Sequence, residues 1–259
     1  MNYWAKLSIE YANQRNYLDD LFSVYPTIPN GIRDVDKNIW EEIEKSFKKQ
    51  DNLKLVESVL KLKLFPIKDS YVAYLKRDKT AIKRNPKTID RLSGRLYEMG
   101  LDEIFERATE PKETNRQIGP LFGRWINKGS LGIKPVPLKK FISSDENAIL
   151  DAKDNEMMNF AKEHLKYKHK KGLDLVARFN GKYVIGEAKF LTDFGGHQNA
   201  QFNDAISTAK TKVDAITVAI LDGVLYIPSK NKMHKSIIKD YKNQNIMSAL
   251  VLREFLYQI

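Results

Sequence analysis

The first half of the chain repeats apolar residues at the three-to-four-residue spacing of an amphipathic helix. Three stripes of this kind stand out: Ile39, Trp40, Ile43 and Phe47; Val56, Val59, Leu60 and Leu64; and Ile89, Leu92, Leu96 and Met99. Asn85 and Pro86 suit the start of the third helix, and Gly100 suits its end. We therefore predict that residues 1–130 are mainly helical, with a last helix at about 113–127.

The pattern changes between Gly129 and Phe141, where two glycines and two prolines interrupt any helix. We expect a junction there, dividing the chain into a helical region, residues 1–130, and a second region, residues 131–259. Ser143 is followed three residues later by Glu146, which predicts a capping box and a helix reaching Leu165.

Beyond residue 172 the apolar positions alternate with the period of two that is typical of strands. Strands are predicted at 173–179 and 182–190 around Asn180 and Gly181, the residues that favour a two-residue hairpin turn. A helix at 198–212, a second hairpin around Asp222 and Gly223, and a final helix at about 245–257 follow. The resulting order predicts the α/β (α+β) class, with a sheet core flanked by helices.

Composition changes the picture through charge. The 259-residue chain has 44 Lys and Arg against 33 Asp and Glu, a net charge of +11. This surplus favours a polyanionic partner, DNA or RNA, because each neutralised phosphate releases counterions. The chain has no Cys, which excludes thiolate metal sites and suits a reducing cytoplasm. It has no run of about 18 apolar residues, so we expect no membrane span.

The first hairpin carries the candidate chemistry. A two-residue turn at 180 and 181 sets Asp174 opposite Glu187, and Lys189 points to the same face as Glu187. Two facing carboxylates repel each other unless a cation lies between them, and hard oxygen ligands at this spacing suit Mg²⁺. Lys189 would then position or deprotonate a water, or stabilise charge developing on phosphorus.

The alternative is a surface hairpin whose Asp, Glu and Lys are ordinary solvated charges. One face of the hairpin is strongly apolar, so the hairpin is expected to pack on a core. The other face also holds Val176, Tyr183 and Ile185, which predicts that it is partly covered. Carboxylates on a covered face need a partner, and this favours the catalytic interpretation.

The motif resembles that of the PD-(D/E)xK nuclease superfamily: Leu173-Asp174, twelve residues, then Glu187-Ala188-Lys189. The stretch Gly186–Phe190, Gly-Glu-Ala-Lys-Phe, is similar to the motif of type II restriction endonucleases, although Leu173 stands where the family usually has proline. The resemblance implies a restriction-endonuclease-like mixed sheet. It also implies Asp174 and Glu187 as ligands of Mg²⁺ and Lys189 as the catalytic lysine.

The resemblance further implies double-stranded DNA as substrate, a homodimer and a cognate DNA methyltransferase that protects host DNA. Members of this superfamily often add an acidic residue from the helix before the hairpin. Glu156 is the candidate for this third metal ligand, and Glu146 is assigned to the cap. A plain surface role for either residue stays open.

Several further residues are candidates for DNA contact. His197, Gln198 and Asn199 follow two glycines, and Gln and Asn side chains can read adenine, although a flexible loop explains the same residues. The remaining candidates are Lys83, Arg84, Lys87, Arg91 and Arg95 on one helix, Asn115 and Arg116, and Lys168 and Lys170 beside the catalytic strand. A solvated helix face or a charged helix end is the alternative for the basic ones.

Three functions compete at this point. The first is a Mg²⁺-dependent type II restriction endonuclease whose helical region reads sequence. The second is a structure-selective or repair nuclease of the same superfamily. The third is a basic nucleic-acid-binding protein with an inert nuclease-like core.

Overall fold

Residues 1–14, 16–26, 33–111, 118–228 and 231–259 are described in this computed structural model. The chain forms two compact units, one from Met1–Thr27 with Thr114–Ile259 and the other from Ile28–Glu113. These units do not coincide with the predicted division at residue 130, because helices on the amino-terminal side of that position pack in the unit that contains the sheet.

Helices are numbered along the described chain. They are α1 (Tyr3–Ala12), α2 (Tyr17–Val24), α3 (Lys37–Lys48), α4 (Asn52–Leu60), α5 (Val72–Arg77), α6 (Ala81–Arg84), α7 (Pro86–Thr109), α8 (Ile118–Asn127), α9 (Leu138–Ile142), α10 (Asp154–His164), α11 (Gly196–Ala209), α12 (Lys232–Lys239) and α13 (Ala249–Gln258). The strands are β1 (Val136–Pro137), β2 (Ala148–Asp151), β3 (Leu175–Phe179), β4 (Lys182–Leu191), β5 (Ile216–Gly223) and β6 (Asn245–Met247). Among the described residues, no helix combines the length and apolarity needed to cross a bilayer.

The unit of residues 28–113 confirms the helical stripes, except that α4 ends at Leu60 and so does not include Leu64. Ile43, Val56, Val59 and Leu92 are fully buried in one core shared by α3, α4 and α7. The predicted helix end at Gly100 is confirmed: Gly100 has a positive φ of 75° and a non-helical ψ of 165°, and it separates two helical segments that α7 joins across a kink. The helix resumes after the kink because residues that follow, Ile104 and Ala108 among them, return to the same core.

In the described part of the sheet unit, six strands form a mixed sheet in the order β1-β2-β3-β4-β5-β6. Strands β2, β3 and β4 are antiparallel neighbours, whereas β5 and β6 continue from β4 in parallel. Helices pack against the sheet, so the sheet unit has a mixed α/β fold. The predicted fold class is confirmed.

The helix predicted to open at Ser143 is wrong at its start. Residues 148–151 form β2, and the helix α10 begins only at Asp154. Buried Arg178 explains the difference, because its guanidinium donates to the carbonyl oxygens of Phe141 and Glu146 at 2.8 and 3.0 Å. These bonds hold the segment before β2 against the sheet in a non-helical conformation.

The second predicted hairpin is also wrong. Asp222 and Gly223 end β5, and the residues Val224–Tyr226 form a 3-10 turn rather than a returning strand. Gly223 is required for close packing: a Cβ atom there would lie 2.1 Å from the carbonyl oxygen of Leu191. The final predicted helix is likewise split, since Asn245–Met247 forms β6 before α13 begins.

Buried Asp222 ties several elements of the sheet unit together. Its carboxylate accepts hydrogen bonds from the hydroxyls of Tyr17 at 3.2 Å, Tyr25 at 3.1 Å and Ser248, and from the backbone N–H of Ala249 at 3.1 Å. Complete burial raises the pKa of Asp222 to about 6, although these four donors oppose the shift. The carboxyl is therefore protonated more readily in the folded chain than in the unfolded chain.

This shift predicts a pH-dependent difference between the wild type and Asp222→Asn. An acid whose folded pKa is raised stabilises the fold below its unfolded pKa, and this contribution is lost as pH rises through the folded value. The free energy of unfolding of the wild type, relative to Asp222→Asn, should therefore fall by up to roughly 3 kcal/mol between about pH 4 and pH 6. Urea unfolding of both proteins across that range measures it, and parallel stability curves would show that Asp222 does not titrate as described.

Candidate active site

The turn at Asn180 and Gly181 sets the register of the site. Both residues have positive φ, 50° and 73°, as a two-residue hairpin turn requires. Phe179 pairs with Lys182 and Ala177 pairs with Val184, which confirms the predicted register. The Asn180 side chain also donates to the carbonyl oxygen of Ile259 at 2.9 Å, so the turn is anchored to the end of the chain.

Asp174 lies one residue before β3 and is held by the opposite strand. Its backbone N–H donates to the carbonyl oxygen of Gly186 at 3.0 Å. Its carboxylate accepts the backbone N–H of Ala188 at 2.8 Å, and the Lys189 ammonium lies 3.8 Å from the same oxygen. The register thus fixes the carboxylate, and not only the backbone, beside β4.

Glu187 is the most buried charged group of the cluster, with only 1% of the residue exposed. Its Oε1 atom lies 2.8 Å from Nζ of Lys189 and 2.9 Å from Nζ of Lys171. Its Oε2 atom accepts the hydroxyl of Thr208 at 2.8 Å. Asp174, Glu187 and Lys189 are therefore together in the fold, joined through one lysine.

Burial is the largest influence on Asp174 and raises the pKa of its carboxyl. Lys189 and the N–H of Ala188 oppose this shift, whereas the negative charges of Glu187 and Asp154 add to it. The net result is a raised pKa, so the positive charge near Asp174 does not fully compensate its ionised carboxylate for burial. A cation held between Asp174 and Glu187 would supply that charge.

The donor set fits Mg²⁺, which proteins commonly hold through one or two carboxylates while water and substrate phosphate fill the other positions. Among the described residues, no group of three His, Cys, Asp or Glu side chains is close enough to hold a metal. Glu156 is therefore not brought to the carboxylate pair. Its carboxylate instead accepts the backbone N–H of Lys153 at 2.9 Å and caps α10. The acidic residue of this helix whose charge acts on Asp174 is Asp154.

The predicted DNA contacts near the site have different environments. Gln198 is buried, and its amide group accepts the backbone N–H of Thr192 at 3.2 Å and donates to the hydroxyl of the same residue at 3.3 Å. It is thus engaged in holding the start of α11 and is not presented for reading bases. His197 and Asn199 are exposed on the same helix, and Lys168 and Lys170 are exposed before β3.

The predicted basic stripe in the helical unit is not on one helix, because α6 ends at Arg84 and α7 begins at Pro86, and it is partly neutralised. Three of its arginines pair with acids: Arg84 with Asp78 at 2.7 Å, Arg91 with Asp69 at 2.5 Å and Arg95 with Glu98 at 2.7 Å. Lys83 and Lys87 are exposed beside them. Asn115 and Arg116 lie outside the described residues. For all of these residues, DNA contact stays a prediction.

Sequence reasoning missed Lys171, Asp204 and Thr208. Lys171 belongs to the basic run before β3, where it was indistinguishable from its neighbours. Asp204 and Thr208 are one helical turn apart on α11, so their spacing in the sequence predicts that they lie on the same face of the helix. Nothing in the sequence indicated that this face turns toward Glu187.

A mixed sheet flanked by helices, with two carboxylates and a lysine gathered across a β-hairpin, defines a nuclease of the restriction-endonuclease type. The family of the Tsp45I type II restriction enzyme matches residues 2–259, essentially the whole chain, and the chain belongs to that family. It is therefore a site-specific deoxyribonuclease. No curated protein and no solved structure shows significant similarity to it. The family assignment favours the first of the three functions over a structure-selective nuclease and over a non-catalytic binding protein.

The glycine of the motif has a packing role that yields a prediction. A Cβ atom at Gly186 would lie 2.6 Å from a methyl carbon of Val218 and 3.2 Å from its carbonyl oxygen on β5. Gly186→Ala should therefore separate β4 from β5 and destabilise the fold by about 1–3 kcal/mol. Chemical unfolding of Gly186→Ala, Val218→Ala and the double variant checks this. The double variant should lose less stability than the two single losses added, whereas simple additivity would contradict a steric clash at this point.

Proposed function

We propose that this enzyme hydrolyses phosphodiester bonds of double-stranded DNA in a Mg²⁺-dependent reaction centred on Asp174, Glu187 and Lys189. The observation that carries the proposal is that one ammonium group, that of Lys189, lies 2.8 Å from Glu187 and 3.8 Å from Asp174. A reacting phosphate drawn to the carboxylate pair by a metal ion would thus meet a lysine at the same point.

Asp174 and Glu187 would hold the ion. When bound, Mg²⁺ supplies a Lewis acid for the phosphate oxygens and lowers the pKa of a coordinated water. The Lys189 ammonium would orient that water and would stabilise the negative charge that grows on the phosphoryl oxygens. The attacking water oxygen loses a proton to solvent as it forms a new bond to phosphorus, the bond from phosphorus to the leaving sugar oxygen breaks, and that oxygen takes up a proton from solvent.

The hairpin geometry supports these roles because the fold restrains each of the three side chains. Asp174 is bonded to the Ala188 N–H, Glu187 is bonded to Thr208, and only 24% of the Lys189 side chain is exposed. Side chains restrained in this way lose little freedom when the substrate binds, and this favours positioning of the reacting groups.

The net charge of +11 supports a DNA partner through phosphate contacts. Exposed Lys168 and Lys170, at the entrance to β3, are the nearest candidates in sequence to the site. A homodimer that cuts both strands, a methyltransferase that protects host DNA, and a cytoplasmic location complete the proposal. These three follow from the restriction-enzyme assignment rather than from a contact within this chain.

Isosteric variants test the catalytic roles. Asp174→Asn, Glu187→Gln and Lys189→Met should each lower the rate of plasmid cleavage in Mg²⁺ by on the order of a hundredfold or more. The wild type should give discrete fragments with Mg²⁺ and none with a chelator. Sequencing the fragment ends would also give the recognition sequence and the cut position.

Lys182→Met is the matched control, since Lys182 is an exposed lysine on the same strand, β4, as Lys189. It removes the same charge and should keep cleavage within a few-fold of the wild type. Binding of DNA in Ca²⁺ should survive in Lys189→Met, which separates loss of chemistry from loss of affinity. Near-normal cleavage by any of the three active-site variants would remove that residue from the mechanism.

A further inference from the structure

Lys171 is a second lysine at the carboxylate pair. Its Nζ atom is buried, although 38% of the side chain is exposed. It lies 2.9 Å from Oε1 of Glu187 and 2.7 Å from Oδ2 of Asp204 on α11. A buried ammonium between two carboxylates is a specific arrangement, because burying a charge is costly unless it is paired.

The two lysines share a single oxygen atom. Lys189 and Lys171 both lie within 3 Å of Oε1 of Glu187, at 2.8 and 2.9 Å. Their like charges repel each other, so this crowding is favourable only while Glu187 has no stronger positive partner. Because Oε1 is one of the two oxygens that Glu187 can offer to a metal, Lys171 occupies the position of a competing cation.

Asp204 differs from Glu187 in its surroundings. Its side chain is 56% exposed, against 2% for that of Glu187, so Asp204 can keep an ammonium in partial contact with water. Thr208, one turn further along α11, holds the other oxygen of Glu187 at 2.8 Å. Glu187 would therefore keep its orientation if Lys171 moved fully to Asp204.

We propose that Lys171 is the internal counter-ion of Glu187 in the metal-free enzyme, and that Asp204 is its second holding point when Glu187 takes a divalent cation. This inference rests on the proposed function, since it assumes that Asp174 and Glu187 are the metal ligands. Lys171 is on this account a positioning residue: it neutralises the buried carboxylate before the metal arrives and sets the threshold concentration for metal binding.

The proposal predicts changes of opposite sign for its two residues. Lys171→Met removes the competing ammonium, so Ca²⁺ should bind roughly tenfold more tightly. Asp204→Asn leaves Lys171 with Glu187 as its one strong partner, so Ca²⁺ should bind several-fold more weakly. If the ion pairs of Lys171 with Glu187 and Asp204 only stabilise the fold, both changes should weaken Ca²⁺ binding, because both would make the side chain of Glu187 less well ordered.

Isothermal titration calorimetry of the full-length protein with Ca²⁺, without DNA, measures these affinities independently of cleavage. Lys162→Met and Asp240→Asn are matched controls, removing one exposed charge on α10 and one just after the end of α12, and each should leave the affinity unchanged. Lys171→Gln provides a second variant if Lys171→Met does not fold, and it should also tighten binding. Thermal unfolding of every variant verifies that the fold is intact.

The outcomes separate this inference from the proposed function. If the wild type binds Ca²⁺ and Glu187→Gln does not, the metal site stands. Unchanged or weaker binding by Lys171→Met and Lys171→Gln would then overturn the role of Lys171 alone. If Glu187→Gln binds Ca²⁺ as well as the wild type does, the metal site itself is wrong, and the inference falls with it.

Discussion

The structure of the site depends on one constraint, which is that a carboxylate buried as deeply as Glu187 requires positive charge and hydrogen-bond donors around it. Lys189, Lys171 and Thr208 supply both, at 2.8 to 2.9 Å. Leaving such a group unpaired would cost several kcal/mol, more than most single contacts contribute. The surrounding elements are arranged so that these three side chains converge on one residue of β4.

This convergence comes from three separate parts of the sheet unit. The two-residue turn at Asn180 and Gly181 brings Asp174 to Glu187 and Lys189. The absence of a side chain at Gly186 lets β4 pair closely with β5. Helix α11 then packs on these two strands and presents Thr208 and Asp204. The hairpin alone would bring together Asp174, Glu187 and Lys189, but among the described residues Glu187 also needs α11 packed on the sheet to gain the hydroxyl of Thr208 as a donor.

The local parts of this arrangement could be predicted from the sequence. Alternating apolar positions and the Asn-Gly turn gave the hairpin register, and from it the cluster of Asp174, Glu187 and Lys189. The helices of the first half could be predicted equally well, because the apolar residues of each helix recur at a spacing that places them on one buried face. The charge surplus and the resemblance of the motif then gave the class of enzyme that the family assignment confirms.

The remaining parts of the fold and the site depend on contacts between residues that are far apart in the sequence. Neither hydrophobic periodicity nor turn-residue preferences predict such contacts. The short apolar segment that forms β2 is compatible with a helix as well as with a strand. The hydrogen bond from Arg178 to the carbonyl oxygen of Glu146 favours the extended conformation. An Asp-Gly pair is typical of a hairpin turn, but Gly223 is needed because the backbone of Leu191 passes too close to leave room for a side chain. Lys171 looked like one member of a basic run, and its role appears only when α11 is placed beside β4.

The most direct test of the account is to locate the divalent ion. Crystals of the enzyme grown with its DNA and Mn²⁺, measured at a wavelength where manganese scatters anomalously, would reveal the ion without reference to activity. We expect an anomalous peak between the carboxylates of Asp174 and Glu187, with Lys189 beside the phosphate. A peak bound by other residues, with these two carboxylates free of metal, would contradict it.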